Sequence, residues 1–181
     1  PPEQRQPIVE LLPLVIVGGG FMSIIFFSIV THQYHLQKAL VRMATTDELT
    51  ALPNRRAFLN AVELNIAHDP EGYLLIADAD YFKRINDTYG HGAGDLCLQA
   101  IADLLRQSVT RADRIGRIGG EEFGIYLAAP SPDYLEKVGE KLINGVKLQI
   151  GDQLLTITLS VGAARINEDM RLKDILQRAD T

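Results

Sequence analysis

Cysteine is almost missing from this sequence. The single Cys97 excludes an internal disulfide and the usual cysteine-rich zinc sites. It stands in an apolar helical pattern, as a buried thiol does. An excess of positive charge is missing too, because the net charge is −5. Residues 1–46 hold three basic and two acidic side chains, which leaves −6 on the remainder. That balance argues against a polyanion-binding surface, so no nucleic-acid polymer is expected as a partner. It suits a metal–nucleotide site, where a cation supplies the positive charge. Internal repeats and low-complexity segments are also lacking. With 181 residues, 46% of them hydrophobic, the chain has room for one domain and a short appendage.

Charge is absent altogether from Leu11 to Val30. These 20 residues match the roughly 20 needed to cross a bilayer as a helix. A buried core helix is the other reading, but helices apolar all round and this long rarely occur in soluble domains. A secretory leader is disfavoured by Glu3 and Glu10 ahead of the run. Gly18-Gly19-Gly20 offers either close approach to a second helix or a flexible point. Lys38 and Arg42 follow the run, which puts its C-terminal side in the cytoplasm. The expected organisation is therefore an extracytoplasmic flank at 1–10, a membrane span at Leu11–Val30, a linker helix at 31–46 and a catalytic region at 47–181. In the linker, Ile29, Leu36, Leu40 and Met43 are spaced by 7, 4 and 3, a seam for a homodimer. A single amphipathic helix packed on the domain is the alternative.

Beyond the linker, Asn54 reads as a helix cap. Phe58, Val62 and Ile66 then mark one helix face, ending near Pro70. Tyr73–Ala77 reads as a strand and Phe82–Tyr89 as a helix. A further helix is expected from Asp95, burying Leu98, Ile101, Leu105 and Val109. Ile115–Ile118 and Phe123–Ala128 flank Gly119-Gly120 as a hairpin. Tyr134–Val146 reads as a helix, Leu154–Val161 as one alternating strand and Leu172–Ala179 as a last helix. That order gives an α/β or α+β fold with helices packed on one sheet.

Two segments carry the chemistry. In Leu74-Leu75-Ile76-Ala77-Asp78-Ala79-Asp80-Tyr81-Phe82-Lys83-Arg84-Ile85-Asn86-Asp87 an apolar run ends in two acids, and Gly90-His91-Gly92-Ala93-Gly94-Asp95 follows. The second is Gly119-Gly120-Glu121-Glu122-Phe123. Brought together, such ends make an oxygen-rich pocket for a hard cation such as Mg²⁺. Each acid also has a plain structural reading. Asp78 and Asp80 can form turns or caps, Glu121 can be an exposed hairpin residue, and Asp95 can cap a helix after Gly94. Two acids on one tight turn repel, which weakens the plain reading there. The N–H groups after Tyr81 and Phe82, at the start of a helix, can hold phosphates. Lys83 can offset phosphate charge or sit solvated, and His91 can position substrate or serve the fold.

Together the two segments closely resemble the GGDEF family of diguanylate cyclases, with Glu121 standing where the family name has Asp. The resemblance begins at Asp47-Glu48-Leu49-Thr50 and runs to the end of the chain. It implies a palm-like, mainly antiparallel sheet of the nucleotide-cyclase type. It implies GTP as substrate, Mg²⁺ or Mn²⁺ as cofactor, and a homodimer in which each 3′-hydroxyl attacks the other α-phosphate to give cyclic di-GMP. Metal binding falls on Asp78, the carbonyl of Ala79, Glu121 and, in support, Glu122, while Asp80 is read as structural or as a support behind the ligands. Glu121 also helps deprotonate the attacking hydroxyl, and Asn86 and Asp95 read the guanine edge.

The resemblance fails in two places. The product-inhibition motif Arg-x-x-Asp has Asp113 in place but Thr110 where Arg belongs, with Arg111 one position off, so the inhibitory site is expected to be degenerate. The family's last helix, with its phosphate-contacting basic residues, extends past where this sequence stops. An upstream sensory region is expected from the start at Pro1. The rival readings are a GTP-binding module that regulates a partner without catalysis, and a membrane-anchored dimerisation element with a passive domain.

Overall fold

The computed structural model describes residues 6–166, the side chains of 6–16, Ala39 and Arg42 excepted. The chain forms two compact units, divided between Ala44 and Thr45. The first is built by one helix, α1 (Gln6–Thr45), unbroken through the three glycines. The two helices expected at 11–30 and 31–46 are thus one. A membrane-crossing helix was also expected here. Among the described residues, no helix is long and apolar enough to cross a membrane. Residues 11–16 of that expected span lie outside the described side chains.

The second unit starts with α2 (Arg55–His68), whose cap Asn54 accepts a hydrogen bond from the Ala57 N–H. Then come β1 (Gly72–Ala79), α3 (Phe82–Tyr89), α4 (His91–Ser108), β2 (Arg114–Arg117), β3 (Glu122–Ala128), α5 (Pro132–Asn144), β4 (Val146–Ile150), β5 (Gln153–Ile157) and β6 (Leu159–Ile166). A four-stranded antiparallel sheet has the order β2-β3-β1-β6, and β4-β5 form a separate hairpin. This is the palm-like α/β fold.

Central β1 is buried on both faces, which is why it reads as a nearly continuous apolar run. Its alternation assigns the two cores. Leu75, Ala77 and Ala79 join Phe123, Ile125 and Leu127 in a core completed by Phe82, Ile85, Leu98, Ile101, Leu105 and Leu142. Leu74 and Ile76 face the other way, with Tyr126 and Ile166, against Phe58 and Val62 of α2. Phe58 lies so close over Gly116 and Gly124 that an added Cβ would stand 2.5 and 2.3 Å from its side chain. Cys97 is fully buried in the first core, and burial pushes its thiol pKa up, so it is an inert thiol.

Three sequence expectations need correction. The helix expected from Asp95 begins at His91, because Gly90, at φ 82°, closes α3 and opens α4 in one residue. Asp95 therefore lies in the second turn and is not an N-cap. The strand expected over Leu154–Val161 is two strands broken at Thr158: β5 pairs with β4, and β6 pairs with β1. The hairpin partner β4 was overlooked, although Val146–Ile150 alternates and a two-residue Gly151-Asp152 turn follows it. The expected last helix at Leu172–Ala179 lies outside the described residues.

Candidate functional site

β1 extends to Ala79, so Asp78 sits within the strand rather than beyond it. Its register partners are Glu122 on β3 and Ser160 on β6. One residue on, the Ala79 N–H donates to the Glu121 carbonyl at 3.2 Å. Backbone pairing thus joins the two acidic segments at one end of the sheet. By alternation, Asp78 and Glu122 belong to the face that carries α2.

Like charges directly opposite on neighbouring strands destabilise a sheet, so this pairing favours a bound cation. Among the described residues, no three acidic, histidine or cysteine side chains gather to hold a metal unaided. Mg²⁺ does not require that. It is commonly bound by one or two carboxylates, with substrate phosphates and waters completing the shell. The Glu122 carboxylate lies over Gly119, in space that a Cβ there would fill: its Oε2 would be 2.0 Å away. The donor set at this sheet end therefore fits Mg²⁺ or Mn²⁺.

Asp80 is latched rather than open. Its carboxylate accepts from the hydroxyls of Thr158 and Ser160, each at 2.6 Å, and its N–H donates to the Thr158 carbonyl at 3.0 Å. The Ser160 and then the Thr158 hydroxyl hold its pKa below the usual carboxylate value of 3.8. A depressed folded pKa means the latch stabilises fully above the unfolded value and is lost as pH falls below it. Ser160→Ala is therefore expected to move the acid-unfolding limb, below about pH 4, to higher pH. Stability above pH 5 should show no added pH dependence. Melting curves between pH 2.5 and 7 check this, and an unmoved acid limb would contradict the assignment.

Beyond the latch, Tyr81 adopts the left-handed conformation at φ 56° and precedes α3 without a side-chain cap. Its side chain is 80% exposed, whereas Phe82 is buried and anchors the helix start. The first N–H groups of α3 are thus left without a side-chain acceptor, as phosphate binding requires. Lys83 and His91 are exposed on the first turns of α3 and α4. Asn86 packs directly on Gly94, where an added Cβ would be 2.0 Å from its Oδ1. Asp95, the next residue along α4, is exposed. A cleft of about 270 Å³ adjoins Asp80 and Tyr81, bounded by Arg84 and Thr88 of α3 and by Thr156 of β5.

The chain from Thr46 onward therefore joins Asp78 and Ala79 to Glu121 and Glu122 at one sheet end, follows β1 with an uncapped helix start, and packs Asn86 of α3 against Gly94 of α4. The profile of the diguanylate cyclase GGDEF domain matches residues 44–181. The chain belongs to the GGDEF family. Among curated GGDEF relatives, diguanylate cyclase DgcP of Pseudomonas aeruginosa is 40% identical over 144 residues, 76% of this chain and 22% of that protein. Diguanylate cyclase DgcM of Escherichia coli is 34% identical over 175 residues, 93% of this chain and 42% of that one. The chain thus spans less than half the length of these curated relatives. Among solved structures, the coiled coil and GGDEF domain of DgcB from Caulobacter crescentus, in complex with c-di-GMP, matches with a TM-score of 0.77 at 25% identity, covering 85% of this chain and 86% of that one. Diguanylate cyclase SiaD from Pseudomonas aeruginosa, in complex with its activator SiaC, matches with a TM-score of 0.70 at 28% identity, covering 98% and 71%.

The Thr110–Asp113 segment of this GGDEF domain has its own structure. Asp113 is buried, and its Oδ2 accepts from the Thr110 N–H and hydroxyl, both at 2.8 Å, and from the Tyr134 hydroxyl. Its Oδ1 accepts from the Ala128 N–H at 3.0 Å. Burial, then the hydrogen bond to Asp113, pushes the Tyr134 pKa up. Arg111 is exposed and no part of this cluster.

Sequence reasoning missed Asp47, Arg55 and Arg117, which surround the Gly119-Gly120 turn. Arg117 bridges the Asp47 carboxylate and the Gly120 carbonyl, and Arg55 donates to the Ile118 carbonyl at 3.3 Å. Their signal was position alone: Arg117 stands two residues before the glycines, and Asp47 opens the resemblance.

Proposed function

We propose that this GGDEF domain condenses two GTP molecules into cyclic di-GMP and two pyrophosphates, acting as a homodimer. The observation that carries this reading is the β1–β3 register, which sets Asp78 opposite Glu122 and ties Ala79 to Glu121. Asp78, Glu121, the Ala79 carbonyl and, in support, Glu122 would hold Mg²⁺ or Mn²⁺. A cation held there would supply Lewis acidity to the attacking hydroxyl and offset charge on the leaving phosphates. The N–H groups opening α3, after Tyr81 and Phe82, and the Lys83 ammonium hold the phosphates. Glu121 takes the proton of the attacking 3′-hydroxyl, and His91 borders the nucleotide. Each domain presents one GTP, so the facing of two domains sets the rate through orientation.

Asn86 and Asp95 select guanine. A carboxylate accepts from both the N1–H and the N2–H₂, which adenine lacks. Asp95→Ala is expected to weaken GTP by roughly 1.5–3 kcal/mol, the value of a hydrogen bond to a charged group, and to leave ATP binding unchanged. Calorimetric titration with both nucleotides checks this, and equal losses for both would remove the guanine-reading role. Asp95 caps no helix, so the same variant should melt within about 1 °C of the natural sequence.

The domain is further proposed to sit on the cytoplasmic side of the bacterial inner membrane, anchored through Leu11–Val30. The support is the uncharged run and the basic Lys38 and Arg42 after it. The exposed Ile29, Leu36, Leu40 and Met43 of α1 supply the dimer seam. Incubation with GTP and Mg²⁺ tests the catalytic reading: cyclic di-GMP is the expected product. Tight GTP binding with no product would favour a non-catalytic regulatory module instead.

A further inference from the structure

We infer that Arg117 is a positioning residue, a strut that fixes the direction of Glu121 and ties the signature turn to Asp47, where the chain has just left α1. This rests on the reading of Glu121 given above. The Arg117 side chain is only 16% exposed. Its Nη1 donates to both Asp47 carboxylate oxygens, at 3.1 and 3.2 Å. Its Nε and Nη2 converge on the Gly120 carbonyl, at 3.2 and 2.7 Å. One planar fork therefore serves two anchors, which a lysine cannot do.

The consequence lies in the peptide planes. The Gly120 carbonyl belongs to the peptide before Glu121, and Arg117 holds it. The Glu121 carbonyl belongs to the peptide after it, and the Ala79 N–H holds that one. With both planes fixed, the φ and ψ of Glu121 are fixed, and so is the direction of its Cβ. Two glycines precede Glu121, so the turn has little stiffness of its own. Arg55 on the Ile118 carbonyl and the Gly119 N–H on the Glu122 carbonyl steady the other side.

The far anchor is equally built. Asp47 accepts from the Thr50 N–H at 2.9 Å and from its hydroxyl at 2.6 Å. Its own N–H donates to the Leu52 carbonyl, and the Asn54 N–H to the Thr45 carbonyl. The Arg117 N–H donates to the Pro53 carbonyl at 2.9 Å. The segment from Thr45 to Asn54 is thus fastened to the end of β2, and Arg117 carries its position to the turn. Of the bonds from this segment, those of the Arg117 side chain are the ones that reach the Gly120 carbonyl, next to Glu121.

The test compares Arg117→Gln, Arg117→Lys and Asp47→Asn with the natural sequence. Hydrogen exchange of amides 118–122, measured without nucleotide, reads the turn directly. Arg117→Gln is expected to speed that exchange about tenfold while the amides of β1 and α4 stay unchanged. Asp47→Asn moves it the same way by less, and Arg117→Lys restores it only in part. In turnover, kcat falls about 100-fold, as for a misplaced catalytic group, while KM for GTP changes less than threefold, because Asn86 and Asp95 are untouched. Natural-rate exchange at 118–122 in Arg117→Gln would overturn the strut. So would faster exchange spread evenly over the whole domain, or a loss of kcat no larger than the loss of folded protein. Should the natural sequence make no cyclic di-GMP, the catalytic reading fails, and the exchange comparison still decides the strut. If Arg117→Gln does not fold, the Lys and Asp47→Asn variants carry the same comparison.

Discussion

Glu121→Gln is expected to abolish cyclic di-GMP synthesis, with a loss on the order of a thousandfold or more, several kcal/mol of transition-state stabilisation. Two effects combine. The amide brings no negative charge to a divalent cation, and it cannot take the proton of the attacking hydroxyl. The fold should not notice. Glu121 is half-buried, and the hydrogen bond that ties it to Ala79 uses its backbone carbonyl, which glutamine keeps. Stability should change by no more than about 0.5 kcal/mol. Chromatographic quantification of product beside a melting curve separates the two outcomes. Turnover at the natural rate would remove Glu121 from the chemistry. Lost turnover with a collapsed melting transition would make it structural.

Asp113→Ala, in contrast, is expected to cost stability, about 3 kcal/mol. The substitution removes a buried acceptor from the half-buried Ala128 N–H and Tyr134 hydroxyl and from the exposed Thr110 hydroxyl, while the Thr110 N–H keeps the Tyr134 hydroxyl at 3.1 Å, and donors left unsatisfied cost ~1–3 kcal/mol each where water does not reach them. Asn is a poor substitute. Three donors converge on Oδ2, and an amide offers only one acceptor oxygen. Denaturant unfolding gives the number, and a loss below 1 kcal/mol would show that the network is slack. The same geometry bears on product control. Thr110→Arg alone is expected to restore no inhibition by cyclic di-GMP, because Tyr134, Ala128 and the backbone of residue 110 still occupy the carboxylate. Progress curves with added product check it, and strong inhibition of that variant would mean that the carboxylate is released.

What could be read from the sequence was what rests on local pattern. The apolar run ending at Asp78 is a strand because both its faces are buried, and the pattern says so directly. Asn54 caps a helix with its own side chain, again a local matter. The helix start at His91 hid behind Gly90, which ends one helix and begins the next without a spacer. The β5–β6 break at Thr158 was illegible for a different reason. Alternation continues through it, and only the choice of partner changes, from β4 to β1. Arg117 reads as one more strand residue until Asp47, 70 positions away, is folded against it.

The pairing of β1 also sets when this site can come into being during synthesis. Asp78 leaves the ribosome 44 residues before its neighbour Glu122 and 82 before Ser160. Helices α3 and α4 can form from local contacts as they emerge, but β1 waits for both of its flanking strands. Contacts of such sequence separation form late and slowly. A nascent or prematurely terminated chain ending before β6 exposes one edge of β1 and lacks the Asp80 latch. The acids of the site therefore cannot meet before β3 has been translated, and the Asp80 latch beside them waits for β6.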